Sequence, residues 1–257
     1  MKIFVINLRR SPERRMLMEK QLGALGLAYE IVEAVDGKAL TQEEIDRYCD
    51  KEALAQHPQW LSRGAIGCAL SHLKAYRAIQ DQNLPYGLVV EDDTVLEPAL
   101  AAFLPLVAAH LHDNEVLMLY YAAWKKCTLT TKAGLAIGKH RIATPLNPRQ
   151  LISGNAYIIT NKACREVLRF QTPIKVAADS WNEYYEGQAV EHVRCVYPML
   201  TGVADYKSTI DYISKNSFKA TLLNYIDRHK IFPVYQLLKR RRKKLRTAML
   251  NFELREQ

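Results

Sequence analysis

A β-branched run, Leu88-Val89-Val90, leads straight into three consecutive carboxylates, Glu91-Asp92-Asp93. Few folds accommodate that pattern. Adjacent carboxylates repel one another, so a strand that ends in three of them needs a countercharge close by. Hard divalent cations such as Mg²⁺ and Mn²⁺ are bound through carboxylate oxygen, commonly with substrate phosphates completing the shell. In an open α/β sheet, ligands sit beyond the carboxyl ends of the strands. One reading of the triplet is therefore a site where a metal neutralises a nucleotide diphosphate. The other is a solvated acidic turn capping the next helix, where negative charge suits the helix dipole.

The 257 residues, 49% of them hydrophobic, suffice for a full core as one large domain, or as one domain with an appendage. Five widely spaced cysteines (Cys49, Cys68, Cys127, Cys164 and Cys195) form no CxxC pair. That argues against a zinc site or a disulfide framework and for a reducing compartment. The apolar run at residues 3–6 is too short for a signal peptide. No stretch approaches the roughly 20 apolar residues that span a bilayer, so a cytoplasmic location is expected. The net charge of +9 is uneven. From Arg228 onward ten basic residues face two acidic ones, which leaves +8 on the tail and +1 on everything before it. The near-neutral body argues against a nucleic-acid-binding core.

Residues 2–8 read as a first, buried strand. Ser11-Pro12-Glu13 opens a helix to about residue 25, and residues 29–35 form a second strand closed by Asp36-Gly37. This strand–helix–strand opening predicts a parallel pair. Asn7, Arg9 and Arg14 fall between strand end and helix start, where backbone N–H groups favour anions and arginines clamp a diphosphate; Arg15 reads as an exposed helix position. Thr41 and Ser62 start two further helices. In the second, Ile66, Leu70, Leu73, Tyr76 and Ile79 make a buried stripe. Gly64, Gly67, Ala65 and Ala69 there imply close packing against a strand or ligand, and Ser71-His72 lies one turn on. Residues 98–111 read as a helix, 115–121 as a strand, 122–151 as hairpins or a mobile loop, and 153–160 as a strand followed by a helix. Asp179 is a lone acid in an apolar stretch. An Asp before a helical run is most often an N-cap; the alternative is a general base within reach of a substrate hydroxyl.

Together these residues resemble glycosyltransferase family 25, the bacterial lipooligosaccharide galactosyltransferases related to collagen galactosyltransferases. Four blocks carry the resemblance, in the family's order: residues 5–14 with Val35-Asp36-Gly37, residues 64–72, Val90-Glu91-Asp92-Asp93, and Ala156-Tyr157-Ile158-Ile159. The family usually has an acid where this chain has Ala65, and Gly-Thr where it has Ser153-Gly154. The resemblance implies a GT-A-type Rossmann-like α/β fold in a single domain, with a central, mostly parallel sheet, over residues 1–224. It implies an inverting β-galactosyltransferase that moves a hexose from UDP-galactose, or alternatively UDP-glucose, onto a lipopolysaccharide. Glu91 and Asp93 would hold Mn²⁺ or Mg²⁺. Asn7, Arg9, Arg14, Asp36, Ser71, His72 and Asp92 would face the donor. Inversion needs one carboxylate to deprotonate the acceptor hydroxyl, and Asp179 is assigned that role, with Glu183 and Glu191 in reserve.

Residues 225–257 read as a separate basic amphipathic helical tail, with Pro233 between two helical pieces. Such a helix lies on anionic membrane surfaces. A membrane glycolipid acceptor would give the protein a reason to sit there, peripherally on the inner face of the inner membrane. Nucleic acid is the less favoured partner for the tail.

Overall fold

The computed structural model describes residues 1–56, 58, 60–132, 134–204, 225–226 and 229–255. The chain opens with β1 (Ile3–Asn7), α1 (Pro12–Ala24) and β2 (Tyr29–Glu33), the two strands running parallel. Pro12 sits in the first turn of α1, where its missing N–H costs nothing. Thr41 and Glu44 form a capping box at the start of α2 (Gln42–Tyr48), and α3 (Lys51–Gln56) follows. Ser62 accepts the Ala65 amide at the start of α4 (Arg63–Asp81). The predicted α4 stripe from Ile66 to Ile79 is buried. β3 (Tyr86–Glu91) then returns parallel beside β1. Ile6 pairs with Glu91, so Asn7 and the carboxylates leave the sheet at one edge.

Past the triplet come β4 (Thr94–Leu96), α5 (Leu100–Val107) and β5 (Glu115–Met118). The helix is shorter than residues 98–111, because Ala108–His110 tightens into a 3-10 turn. Five short strands follow: β6 (Ala122–Ala123), β7 (Cys127–Thr130), β8 (Ala136–Ile137), β9 (His140–Pro145) and β10 (Leu151–Ile152). β7, β8 and β9 pair antiparallel, the hairpin alternative for this region. β11 (Ala156–Thr160) runs antiparallel between β3 and β5. α6 (Asn161–Phe170), α7 (Trp181–Glu186), β12 (His192–Tyr197) and β13 (Thr201–Val203) complete the body. β12 lies parallel to β5, and β13 pairs with β4. The result is a mixed α/β sheet covered on both faces, which is why its central strands are apolar throughout. Alternation divides the core. Phe4, Ile6 and Val89 pack towards α4, α6 and α7, whereas Ile3, Val5, Leu88 and Val90 pack towards α1 and α5.

The small residues of α4 have the purpose expected of them. A Cβ on Gly67 would lie 2.6 Å from the Gly37 nitrogen and 2.7 Å from the Val35 carbonyl oxygen. The chain leaving β2 therefore crosses the first turns of α4 backbone to backbone. Gly67→Val should cost about 1–3 kcal/mol or more, since the clash is with backbone and cannot relax by a rotamer change. Urea denaturation reads it; an unchanged midpoint would refute the contact.

The tail departs from a purely helical appendage. α8 (Val234–Met249) begins just after Pro233, but the chain then forms β14 (Phe252–Arg255), which pairs parallel with β7 and extends the main sheet. Phe252 meets the Tyr121 ring edge-on at 4.6 Å, and Glu253 pairs with Lys126 at 2.7 Å. Four residues with period-two alternation suffice for an edge strand; the surrounding charge hides them in the sequence. Residues 205–224, which lead up to the expected junction after residue 224, lie outside the described residues.

Candidate active site

The three carboxylates have three different environments. Asp92 is tied down: Asn7 Nδ2 donates to Oδ2 at 2.7 Å, and Arg14 Nη1 donates to Oδ1 at 3.0 Å. Both members of the Asp92–Arg14 pair are about 10% exposed. Burial leaves the Asp92 carboxyl above its ordinary value, although Arg14 and Asn7 oppose it. Asp92 therefore locks β1, α1 and the turn together, and Arg14 is its buried countercharge. Arg15 is exposed and pairs with Glu19. Asp93 accepts from Asn155 Nδ2 at 2.7 Å. Burial first, then the charges of Glu91 and Asp92, push it up to about 6. Glu91 is more open than Asp92, its side chain 32% exposed, with His72 Nε2 3.4 Å from its Oε1.

Asn155 also holds this turn by its backbone, accepting the Glu91 amide at 2.8 Å, while Thr94 Oγ1 donates to the Glu91 carbonyl. The Nδ1 of the buried His72 ring lies 2.7 Å from Tyr157 Oη, which in turn lies 2.5 Å from Tyr76 Oη. With Tyr157 donating, Nε2 carries the hydrogen and faces Glu91. A Cβ at Gly154 would come within 3.2 Å of this ring. The Ser71 hydroxyl accepts the Val35 amide and donates to the Gly67 carbonyl, which fixes its side chain between α4 and the segment after β2.

Cys68, His72 and Glu91 offer ligand atoms within 4.8 Å of one another. Burial, then the Glu91 charge, raise the Cys68 thiol well above its ordinary value, and a thiol is a softer donor than the oxygens that Mg²⁺ and Mn²⁺ prefer. The oxygens of Glu91 and Asp93 remain, and they suit a hard divalent ion. Repulsion within the triplet, only part of which Arg14 answers, fits such a countercharge.

Two cavities meet at Cys68, Glu91, Asp93 and Val203. The first, about 260 Å³, is lined by Arg10, Arg14, Asp36, Lys38, Ser71 and His72, among others. Arg9 is exposed and does not line it; Arg10 does, in an ion pair of 2.6 Å with Asp36. Of the two adjacent arginines, it is thus Arg10 that the turn after β1 brings to the cavity wall. Burial works to raise the Asp36 carboxyl, but Arg10 and the Lys38 amide hold it below the ordinary value. Asn7 stands behind Asp92 and reaches the cavity through it.

The second cavity, about 420 Å³, is lined by Asp179, Ser153 and Asn155 of the body and by Arg242, Leu245 and Met249 of α8. Asp179 is not the N-cap of α7; Ser180 occupies that position. Its Oδ2 accepts the Ser153 amide at 3.2 Å. Ser153 has φ +98°, a strained value for a residue with a side chain, held where Trp181 Nε1 donates to its carbonyl. Burial raises the Asp179 carboxyl, which favours proton uptake. Glu183 and Glu191 are exposed and line neither cavity.

Asn155, Tyr157 and Cys68 do not stand out as site residues from sequence. Asn155 carries a signal, as a turn-type amide at the head of an apolar strand; the other two look like core.

The profile of glycosyltransferase family 25 (LPS biosynthesis protein) matches residues 1–181. The chain belongs to this family. The match takes in the triplet, His72 and Asp179 and stops short of α8. Procollagen galactosyltransferase 1-A of Xenopus laevis is 34% identical over 117 residues, 44% of this chain and 19% of that protein. Human procollagen galactosyltransferase 2 is 39% identical over 100 residues, 37% of this chain and 16% of that protein. The segment shared with these family members is thus less than a fifth of their length. Among solved structures, the galactosyltransferase LgtC in complex with donor and acceptor sugar analogs is similar over 76% of this chain and 73% of that one. Its identity is 13% and its TM-score 0.38. The mixed α/β layering described above agrees with the α/β class expected from the sequence.

Proposed function

We propose that the chain is an inverting, metal-dependent glycosyltransferase that moves galactose from UDP-galactose onto a lipopolysaccharide acceptor. The observation that carries this reading is the position of Glu91 and Asp93 where a cavity lined by Arg10, Arg14 and Lys38 meets a cavity that contains Asp179. Arg10 and Lys38 would face the donor diphosphate, and Asp92, fixed by Arg14 and Asn7, would keep the turn in register. Asp93 and Glu91 would hold Mn²⁺ or Mg²⁺; when bound, the ion supplies positive charge against which the diphosphate departs. Asp179 takes the proton of the acceptor hydroxyl as that oxygen bonds to the anomeric carbon. The bond from that carbon to the diphosphate breaks on the opposite face, and the configuration inverts.

The tail fits peripheral attachment to the inner face of an anionic membrane. α8 is strongly basic, and Phe232 and Leu237 are 75% and 59% exposed. Among the described residues, no helix is long and apolar enough to cross a membrane. Incubation with a panel of radiolabelled sugar nucleotides and Mn²⁺ tests the chemistry. Hydrolysis or transfer is expected with UDP-galactose and not in excess chelator; inertness towards every UDP-hexose would refute it. Co-sedimentation with vesicles of rising anionic lipid content checks the membrane contact.

A further inference from the structure

We infer that α8 is a wall of the acceptor subsite, and that it selects an acceptor with a phosphate or carboxylate near the reacting hydroxyl. This rests on the reading of the Asp179 cavity as the acceptor side. Arg242, Leu245, Met249 and Leu250 complete the lining of the cavity that contains Asp179. The helix is not there by loose association. Two residues past Leu250, β14 enters the main sheet beside β7, and Phe252 packs on Tyr121, the neighbour of the cavity residue Tyr120. The edge strand thus anchors the helix against the cavity from its carboxyl end.

The two walls have opposite charge. One holds Asp179, Glu91 and Asp93. The other presents Arg242, from a helix with no acidic residue between Val234 and Met249; Lys239, Arg240 and Lys244 of that helix line other clefts and add only their longer-range field. A sugar that presents its hydroxyl to Asp179 places its far side against this helix. A neutral sugar gains little there, whereas an anionic substituent gains charge-assisted contacts and avoids the acidic wall. Leu245 and Met249 add apolar surface for a pyranose face.

The experiment uses the full chain, UDP-galactose, and the phosphorylated core oligosaccharide released from lipopolysaccharide, before and after phosphatase treatment. The wild type should show a KM for the phosphorylated oligosaccharide roughly ten-fold below that for the dephosphorylated one. Arg242→Glu should erase that preference, and Leu245→Asp should raise KM for both. The affinity for UDP, which occupies the other cavity, gives the folding control and should stay within about two-fold. Equal KM values for the two oligosaccharides in the wild type, or an Arg242→Glu chain that keeps the preference, would overturn the inference. If UDP-galactose is hydrolysed but neither oligosaccharide is galactosylated, the acceptor assignment falls while the donor reading stands.

Discussion

Asp93→Asn is expected to fold normally and to lose transfer by about 100-fold or more. The amide oxygen still accepts the hydrogen bond from Asn155 that holds the native side chain, so the turn keeps its shape. What is lost is a negative oxygen donor at the meeting point of the two cavities, and with it the countercharge for the diphosphate. Stability should move the other way. The folded protein holds the Asp93 carboxyl near 6, above its ordinary value of 3.8. The native state therefore prefers the protonated form, and stability is lost as pH rises from about 4 through 6. In chelator above pH 6, Asp93→Asn should melt higher than the wild type, and the gap should close below pH 4. Each kcal/mol relieved is worth about 2–4 °C for a chain of this size. Added Mn²⁺ should raise the melting temperature of the wild type and not of the variant. Full activity in Asp93→Asn, or in excess chelator, would remove the metal from the mechanism.

The parts of this site that were legible in the sequence are those where local pattern and tertiary role coincide. β1 and β3 are buried on both faces, so they appear as apolar runs, and the residues just after them mark the carboxyl edge of the sheet. The capping box at Thr41 and the α4 stripe follow from spacing alone. Roles decided by long-range partners were not visible. Arg14 and Arg15 are neighbours on one helix; only the meeting with Asp92, 78 residues away, separates a buried countercharge from a surface cation. Tyr157 alternates as an ordinary core residue, yet its hydroxyl orients His72. Ser71 lines the first cavity, and its hydroxyl also ties α4 to the segment after β2 through the Val35 amide, a tie that spacing alone does not show. The tail misleads for a further reason. Its charge dominates any sequence reading, while its docking depends on one short edge strand and one aromatic contact.

Asp179→Asn is the second large effect expected. The cap that an Asp before a helix usually provides is absent here, since Ser180 holds the N-cap position and the Asp179 carboxylate is turned to the Ser153 amide and the cavity. The amide side chain keeps an oxygen for that hydrogen bond but cannot take up a proton. Turnover should fall by roughly the 10²–10⁴ that general-base catalysis supplies, with the UDP affinity unchanged. Because burial raises the native carboxyl, the substitution also removes a charge from a site that resists it, so the melting temperature should hold or rise. Glu183→Gln and Glu191→Gln, on exposed positions away from both cavities, should leave kcat near the wild-type value and serve as controls. A structural carboxylate would behave in the opposite way, with the melting temperature falling and kcat surviving in whatever fraction stays folded. That pattern would take the proton transfer away from Asp179.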